Sequence, residues 1–119
     1  MSALLFVYGT LKRGCRNHRQ MAGQRFVDHA RTAPGFRLVD LGGYPGIVPD
    51  PAGGGVEGEV WEVEGEAMVK LDAFEGTDSG LYRRAPIALL EPFAHRTVEA
   101  YFPAGDVQGR PAVGGCWRE

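Results

Sequence analysis

The 119-residue chain has no apolar run approaching the roughly 20 residues that a helix needs to cross a bilayer. Its start also lacks a basic segment leading into an apolar stretch and small residues, as a secretory signal would have. The cytoplasm is the expected compartment, and no membrane is expected as a partner. Cysteine is scarce: Cys15 and Cys116 lie near opposite ends of the chain without a CxxC spacing, which argues against a metal knuckle or a redox pair and for free thiols. His18, His29 and His95 are far apart and show no paired-ligand spacing, so no metal site is expected. The phosphate-loop motif is missing too. Gly9 and Gly14 have its glycine spacing, but Cys15 and Arg16 stand where it needs Lys and then Ser or Thr.

Charge of one sign is also missing overall, with a net charge of −2, but it is unevenly spread. Residues 1–40 carry seven Lys or Arg against two Asp, and residues 41–82 carry nine acids against Lys70 alone. The cluster Lys12, Arg13, Arg16 and Arg19 has no aromatic-rich RNA signature beside it, so nucleic acid is not expected as a partner. A solvated face, or a local cation site for an anionic small molecule, is the simpler reading.

What is present is enough chain for one domain, residues 1–119, able to bury a core without a disulfide or metal staple. Residues 4–8 (Leu-Leu-Phe-Val-Tyr) are a short apolar run bounded by Gly9, which predicts a strand covered on both faces. Gly9 allows backbone to come close to a ligand, and the amides of Thr10 and Leu11 could form an anion-binding nest. One or two helical turns are predicted over 17–23, with Asn17 as N-cap and Gly23 as stop. Two short strands are predicted within 25–39, joined at Pro34-Gly35. The Gly- and Pro-rich stretch 42–46 reads as a loop, either a connector or a pocket wall. Residues 56–63 alternate apolar and acidic residues, which predicts a strand whose glutamates face solvent and whose period Trp61 interrupts.

Ala67, Met68, Leu71 and Phe74 recur at helical spacing, so residues 66–74 should form a helix that buries Met68 and Leu71, with Gly76 as its C-terminal cap. A turn at 77–80 leads to a strand at 81–85. Pro86 restricts that strand to an edge or a bulge, and residues 87–90 are expected to continue it. Residues 95–102 predict a last strand with Val98, Ala100 and Phe102 on one face. The tail 104–119 reads as an irregular return that tucks in Trp117. One helix among many short strands implies an α+β fold whose sheet curls into a barrel.

Two side chains stand out as chemistry. Cys15 has basic neighbours and His18 nearby, a setting that can lower a thiol pKa, but no oxyanion motif surrounds it. Glu75 follows Phe74 at a helix end and stands seven residues ahead of Tyr82. Apolar surroundings and the negative end of the helix dipole would both push its pKa up, towards the range useful for proton transfer.

Several stretches in consistent order carry a resemblance. They are Phe6-Val7-Tyr8-Gly9-Thr10-Leu11-Lys12-Arg13-Gly14 with Asn17-His18, then Tyr44-Pro45-Gly46, Glu57-Gly58-Glu59-Val60, Leu71-Asp72-Ala73-Phe74-Glu75-Gly76 and Tyr82-Arg83. Together they resemble the gamma-glutamylcyclotransferase-like family, in particular its small gamma-glutamylamine cyclotransferases and their short bacterial relatives. The resemblance implies a small mixed β-barrel with flanking helices and an enzyme without metal or cofactor. The implied reaction cyclises a γ-glutamyl amine or small γ-glutamyl peptide to 5-oxoproline and releases the amine. It also implies that Tyr8, Gly9, Thr10 and Leu11 hold the glutamyl part of the substrate, that Glu75 is the catalytic acid/base, and that Tyr82 shapes the site. The alternative is a protein that binds a small polar ligand in the same pocket without turnover. The sequence specifies no oligomeric state.

Overall fold

The computed structural model describes residues 2–119. In chain order its elements are β1 (Ser2–Val7), β2 (Arg25–Arg31), β3 (Phe36–Asp40), β4 (Pro45–Pro49), β5 (Glu57–Glu64), α1 (Gly65–Glu75), β6 (Tyr82–Pro86) and β7 (Val98–Pro103). A 3-10 turn, His18–Met21, lies between β1 and β2. The main sheet runs β2-β5-β1-β7-β6, so β1 is its centre; β3 and β4 form a separate ribbon. β1 pairs antiparallel with β5, from Ser2 opposite Glu64 to Val7 opposite Glu59, and parallel with β7.

The period-two geometry of strands explains why the central strands read as nearly continuous apolar runs. Phe6, Val60, Val98, Ala100 and Phe102 face one core, shared with Leu38 and Ile47 of the ribbon. Leu5, Val7, Trp61, Val63 and Tyr101 face the other, which the helix covers with Met68 and Leu71. Trp61 therefore keeps the period of β5, a strand buried on both faces. Met68 and Leu71 are almost fully buried, which stabilises the helix–sheet contact by roughly 1.5–3 kcal/mol each. α1 ends where expected. Gly76 takes the left-handed conformation (φ +74°), its N–H donates to Ala73 O at 3.2 Å, and the Thr77 N–H donates to Asp72 O at 3.1 Å.

The sheet curls until its two edges meet. Beyond β2, Thr32 bridges Leu89 and the Ala33 N–H donates to Ala88 O, while the Leu90 N–H reaches back to Arg31 O. Residues 87–90 thus do not continue β6 as expected. After the Ile87 N–H bonds Val98 O, the segment crosses to the opposite edge and buries Ile87 and Leu89 in the first core. The expected loop at 42–46 is also only partly one, because Pro45 already belongs to β4. Prolines at both ends hid that strand, and it tolerates them because β3 is its only ladder partner. The tail runs beside β3, with Val39 bridging Ala112 and the Glu57 N–H donating to Gly115 O, and it packs Trp117 on the first core.

The charge asymmetry becomes pairing. Arg25 stands opposite Glu62 and Arg31 opposite Glu57 in the β2–β5 register, with N–O separations of 2.8 and 3.9 Å, and Arg37 meets Asp50 at 2.8 Å. Exposed pairs contribute only about 0–1 kcal/mol each, so they fix register more than stability. One glutamate departs from the solvent-facing expectation. Glu59 is buried, accepting from the Arg13 N–H, Arg13 Nε and Trp61 Nε1 at 3.1, 3.3 and 3.1 Å. Those three donors, two of them from the loop after β1, make the burial of its charge tolerable.

Candidate active site

β1 ends at Val7, and the chain turns at once: the Lys12 N–H donates to Gly9 O at 3.1 Å. A Cβ on Gly9 would lie 2.6 Å from Pro45 Cγ, so only glycine lets β4 approach this turn. Thr10 is tied down twice, its carbonyl accepting from the Asn17 N–H and its hydroxyl from Asn17 Nδ2, both at 3.0 Å. Asn17 therefore does not serve as the side-chain cap expected of it; its amide is spent on the turn. Among the described residues, the backbone N–H groups of Thr10 and Leu11 donate to no acceptor.

This turn lines one side of a cavity of about 290 Å³, with Tyr44 and Pro45, Phe74 and Glu75, and Tyr82 and Tyr101 around it. All the sequence-predicted site residues lie on that lining: Tyr8, Gly9, Thr10, Leu11, Glu75 and Tyr82. Sixty-odd residues separate the turn from Glu75. The two meet because α1 crosses the face of β1 and β5 and stops at the end of the sheet where β1 stops.

Three tyrosines fix the walls through backbone carbonyls and one carboxylate. The Tyr8 hydroxyl donates to Tyr101 O at 2.6 Å and accepts from the Ile47 N–H at 3.2 Å, which ties β7 to β4. The Tyr82 hydroxyl donates to Pro45 O at 2.8 Å. The Tyr101 hydroxyl donates to Asp72 Oδ1 at 2.7 Å, and Asp72 in turn takes a two-pronged ion pair from Arg84 at 2.9 and 3.0 Å. The Arg84 and Tyr101 hydrogen bonds hold the Asp72 carboxyl below its ordinary range against the opposing effect of burial.

Glu75 has no such support. Its carboxylate accepts no hydrogen bond and joins no ion pair among the described residues, and burial alone lifts its pKa to about 7. The helix dipole, invoked from the sequence, is not needed for that shift. Burial pushes the phenols of Tyr8, Tyr82 and Tyr101 up, and the nearby Glu75 charge adds to each. An unpartnered, half-protonated carboxylate on the same small cavity as residues with free amide donors is suited to bind a cation and to pass a proton.

The other candidate fares differently. Cys15 lies outside this cavity, and burial together with the charge of Glu119 raises its thiol pKa rather than lowering it. His18 does not engage the thiol; its Nδ1 lies 2.9 Å from Leu11 O and its ring meets Trp61 at a tilt, 5.3 Å between centroids. Among the described residues no three His, Cys, Asp or Glu side chains converge as a metal site would need, and no helix is long and apolar enough to cross a membrane.

The family model described as gamma-glutamyl cyclotransferase, AIG2-like, matches residues 5–119. The chain belongs to that family. It is 39% identical over 93 residues to a gamma-glutamylaminecyclotransferase of Rattus norvegicus, covering 71% of this chain and 62% of the rat protein. To its Homo sapiens counterpart it is 40% identical over 90 residues, covering 69% and 58%. The chain thus corresponds to less than two thirds of either relative. Its fold is similar to the crystal structure of a Mus musculus AIG2-like protein, with a TM-score of 0.81 and 30% identity over 94% of this chain and 86% of that one. The α+β barrel expected from the sequence is therefore the fold of this gamma-glutamyl cyclotransferase family member, with one α-helix and one 3-10 turn flanking the sheet.

The family match takes in both halves of the cavity, the turn after β1 and the end of α1. Tyr101 and Asp72 do not stand out in the sequence. The available signal was phase, since Tyr101 alternates with Val98, Ala100 and Phe102 and so had to face the other side of β7.

Proposed function

We propose that this protein is a cyclotransferase that closes a γ-glutamyl amine or small γ-glutamyl peptide to 5-oxoproline and releases the amine. The observation that carries this reading is the lone Glu75 carboxylate, with a pKa of about 7, on the same cavity as the free amides of Thr10 and Leu11.

The substrate's α-ammonium supplies the cation that Glu75 lacks. Glu75 takes a proton from it, and the freed amine attacks the γ-carbonyl carbon of the same molecule. A carboxylate with a pKa near 7 is a suitable general base at neutral pH, a role that contributes typically ~10²–10⁴-fold. The γ-oxygen gains negative charge as the ring closes, and the amides of the Gly9–Leu11 turn are the donors available to it. Protonated Glu75 then returns the proton to the departing nitrogen as the γ-amide bond breaks, and the second proton that the ring nitrogen sheds on becoming the lactam N–H passes to the released amine, which departs as its ammonium. One group serves both steps because nucleophile and leaving group are nitrogens on the same carbon.

The reaction is intramolecular, so most of the catalytic effect is conformational. Holding the glutamyl chain folded, with its amine over its own carbonyl, can contribute up to ~7–11 kcal/mol. The walls are suited to this, because Tyr8, Tyr82 and Tyr101 line the cavity and are each anchored through their hydroxyl.

The test is 5-oxoproline formation from a panel of γ-glutamyl amines and dipeptides, followed by mass spectrometry. The wild type should form it, and Glu75→Gln should lose at least ~10²-fold in kcat. Activity that survives Glu75→Gln would sink the mechanism. Ligand-induced stabilisation without product across the panel would favour the non-catalytic binder.

A further inference from the structure

The cavity has two unlike halves. Around Glu75 and the Thr10 and Leu11 amides it offers charge and donors, whereas its mouth is apolar. Five large apolar side chains are exposed among the described residues, and three of them, Tyr44, Phe74 and Leu81, line this one cavity. They are not loose. The Leu81 N–H donates to Gly76 O at 3.0 Å and its carbonyl accepts from the Ala104 N–H at 3.1 Å; the Tyr44 carbonyl accepts from the Leu41 N–H at 2.8 Å; Phe74 sits in the last turn of α1. Apolar side chains held open to water around one entrance mark a binding surface rather than scattered exposure.

The one cation on the lining near that mouth already has partners. Arg16 is the only cation on the lining, and its guanidinium donates to Gly43 O and stands 3.9 Å from the Glu119 carboxylate, while its backbone N–H donates to Glu119 Oε1 at 2.8 Å. Asn17 is committed to Thr10. Glu75 is the only acid on the lining, and the reaction itself uses it. A leaving group carrying a carboxylate would compete with Glu119 for Arg16, and one carrying a second ammonium would find no further carboxylate on the lining.

We propose that the mouth formed by Tyr44, Phe74 and Leu81 is the leaving-group subsite and that it selects uncharged, apolar amines, with alkyl or arylalkyl groups attached to the γ-amide nitrogen. The inference rests on the cyclotransferase reading only for which bond of the ligand breaks. Which end of the ligand sits at the mouth follows from the two unlike halves of the cavity.

A matched set of ligands tests it: γ-glutamyl-phenethylamide, γ-glutamyl-phenylalanine, γ-glutamyl-putrescine and γ-glutamyl-methylamide. The first two differ by one carboxylate, and the last removes the apolar group. Binding is measured by calorimetry on the Glu75→Gln variant, and 5-oxoproline formation on the wild type. Phenethylamide should bind at least about tenfold more tightly than each of the other three. Leu81→Ser and Phe74→Ser, both at exposed positions, should shrink its advantage over methylamide severalfold. Equal or tighter binding of the phenylalanine or putrescine ligand, or no effect of the two substitutions, overturns the subsite. The expected binding order without 5-oxoproline would uphold the subsite and refute the reaction; turnover with the order reversed would do the opposite.

Discussion

Replacing Glu75 by Gln should stabilise the protein while abolishing turnover, and the gain should depend on pH in a defined direction. The Glu75 carboxyl has a pKa of about 7 in the fold against 4.5 for an ordinary glutamate, with burial as the cause. A carboxyl whose folded-state pKa is raised holds its proton more tightly when folded. Its favourable contribution is therefore complete below about pH 4.5 and is lost as the pH rises through about 7. At pH 8 the folded chain carries a partly desolvated, unpartnered charge that costs about 3 kcal/mol relative to the neutral form. Glu75 is only partly buried, so solvent screens part of this, and a gain of about 2 kcal/mol is expected for the neutral isostere Gln. At pH 5 the native glutamic acid is already protonated, and the gain should fall below about 1 kcal/mol. Urea denaturation of both proteins at pH 5, 6.5 and 8 measures this, with unchanged m-values securing the comparison. A variant no more stable than the wild type at pH 8, or a gain that does not change with pH, would refute the claim that Glu75 is held without a partner.

The acid limb of kcat/KM should follow a single ionisation near pH 7, since Glu75 must be ionised to accept a proton and is raised to about that value; a limb near pH 4.5 would contradict the burial argument. Gly9→Ala should lose about 1–3 kcal/mol of stability and most activity, because its Cβ would meet Pro45 Cγ at 2.6 Å and push apart the turn and β4; wild-type melting and turnover would count against this. Arg13→Ala should cost about 1–3 kcal/mol by stripping a donor from buried Glu59 and a cation from the face of Phe26, 3.7 Å away. Adding Glu59→Gln should recover part of that loss in urea denaturation, and no recovery would show that the buried charge is not the cause.

Much of the fold was legible because its signals are local. The apolar run ending at Gly9, the spacing of Met68 and Leu71, and Gly76 as a left-handed cap each specify their own element. What was illegible depends on partners distant in sequence. Glu59 looks like the wet face of an alternating strand until Arg13 and Trp61 surround it. β4 looks like a loop because its prolines are tolerable only on an edge paired to β3 alone. Residues 87–90 look like more strand because nothing in them announces that they will pair with Thr32 and Ala33. For the site, the residue types and their order pointed to Glu75 and the Tyr8–Leu11 turn. The isolation of Glu75 from every donor among the described residues, and the Tyr101–Asp72–Arg84 chain behind the wall, required the packed structure.

The satisfaction of the surrounding polar groups is what gives the isolated carboxylate meaning. No buried side-chain nitrogen or oxygen among the described residues lacks a partner. The hydroxyls of Tyr8, Tyr82 and Tyr101 are committed to acceptors, and their pKa values are raised out of the range where they could trade protons near neutrality. Asp72 is held ionised by Arg84 and Tyr101. Glu75 is therefore the acid on the cavity lining left without a partner among the described residues, as the proposed proton transfer needs. A protein that tolerated careless packing would show several such groups. One alone, at the capped C-terminal end of a helix, is destabilising for the fold, and the proposed reaction gives it a use, with a ligand that arrives with a cation and leaves with a proton.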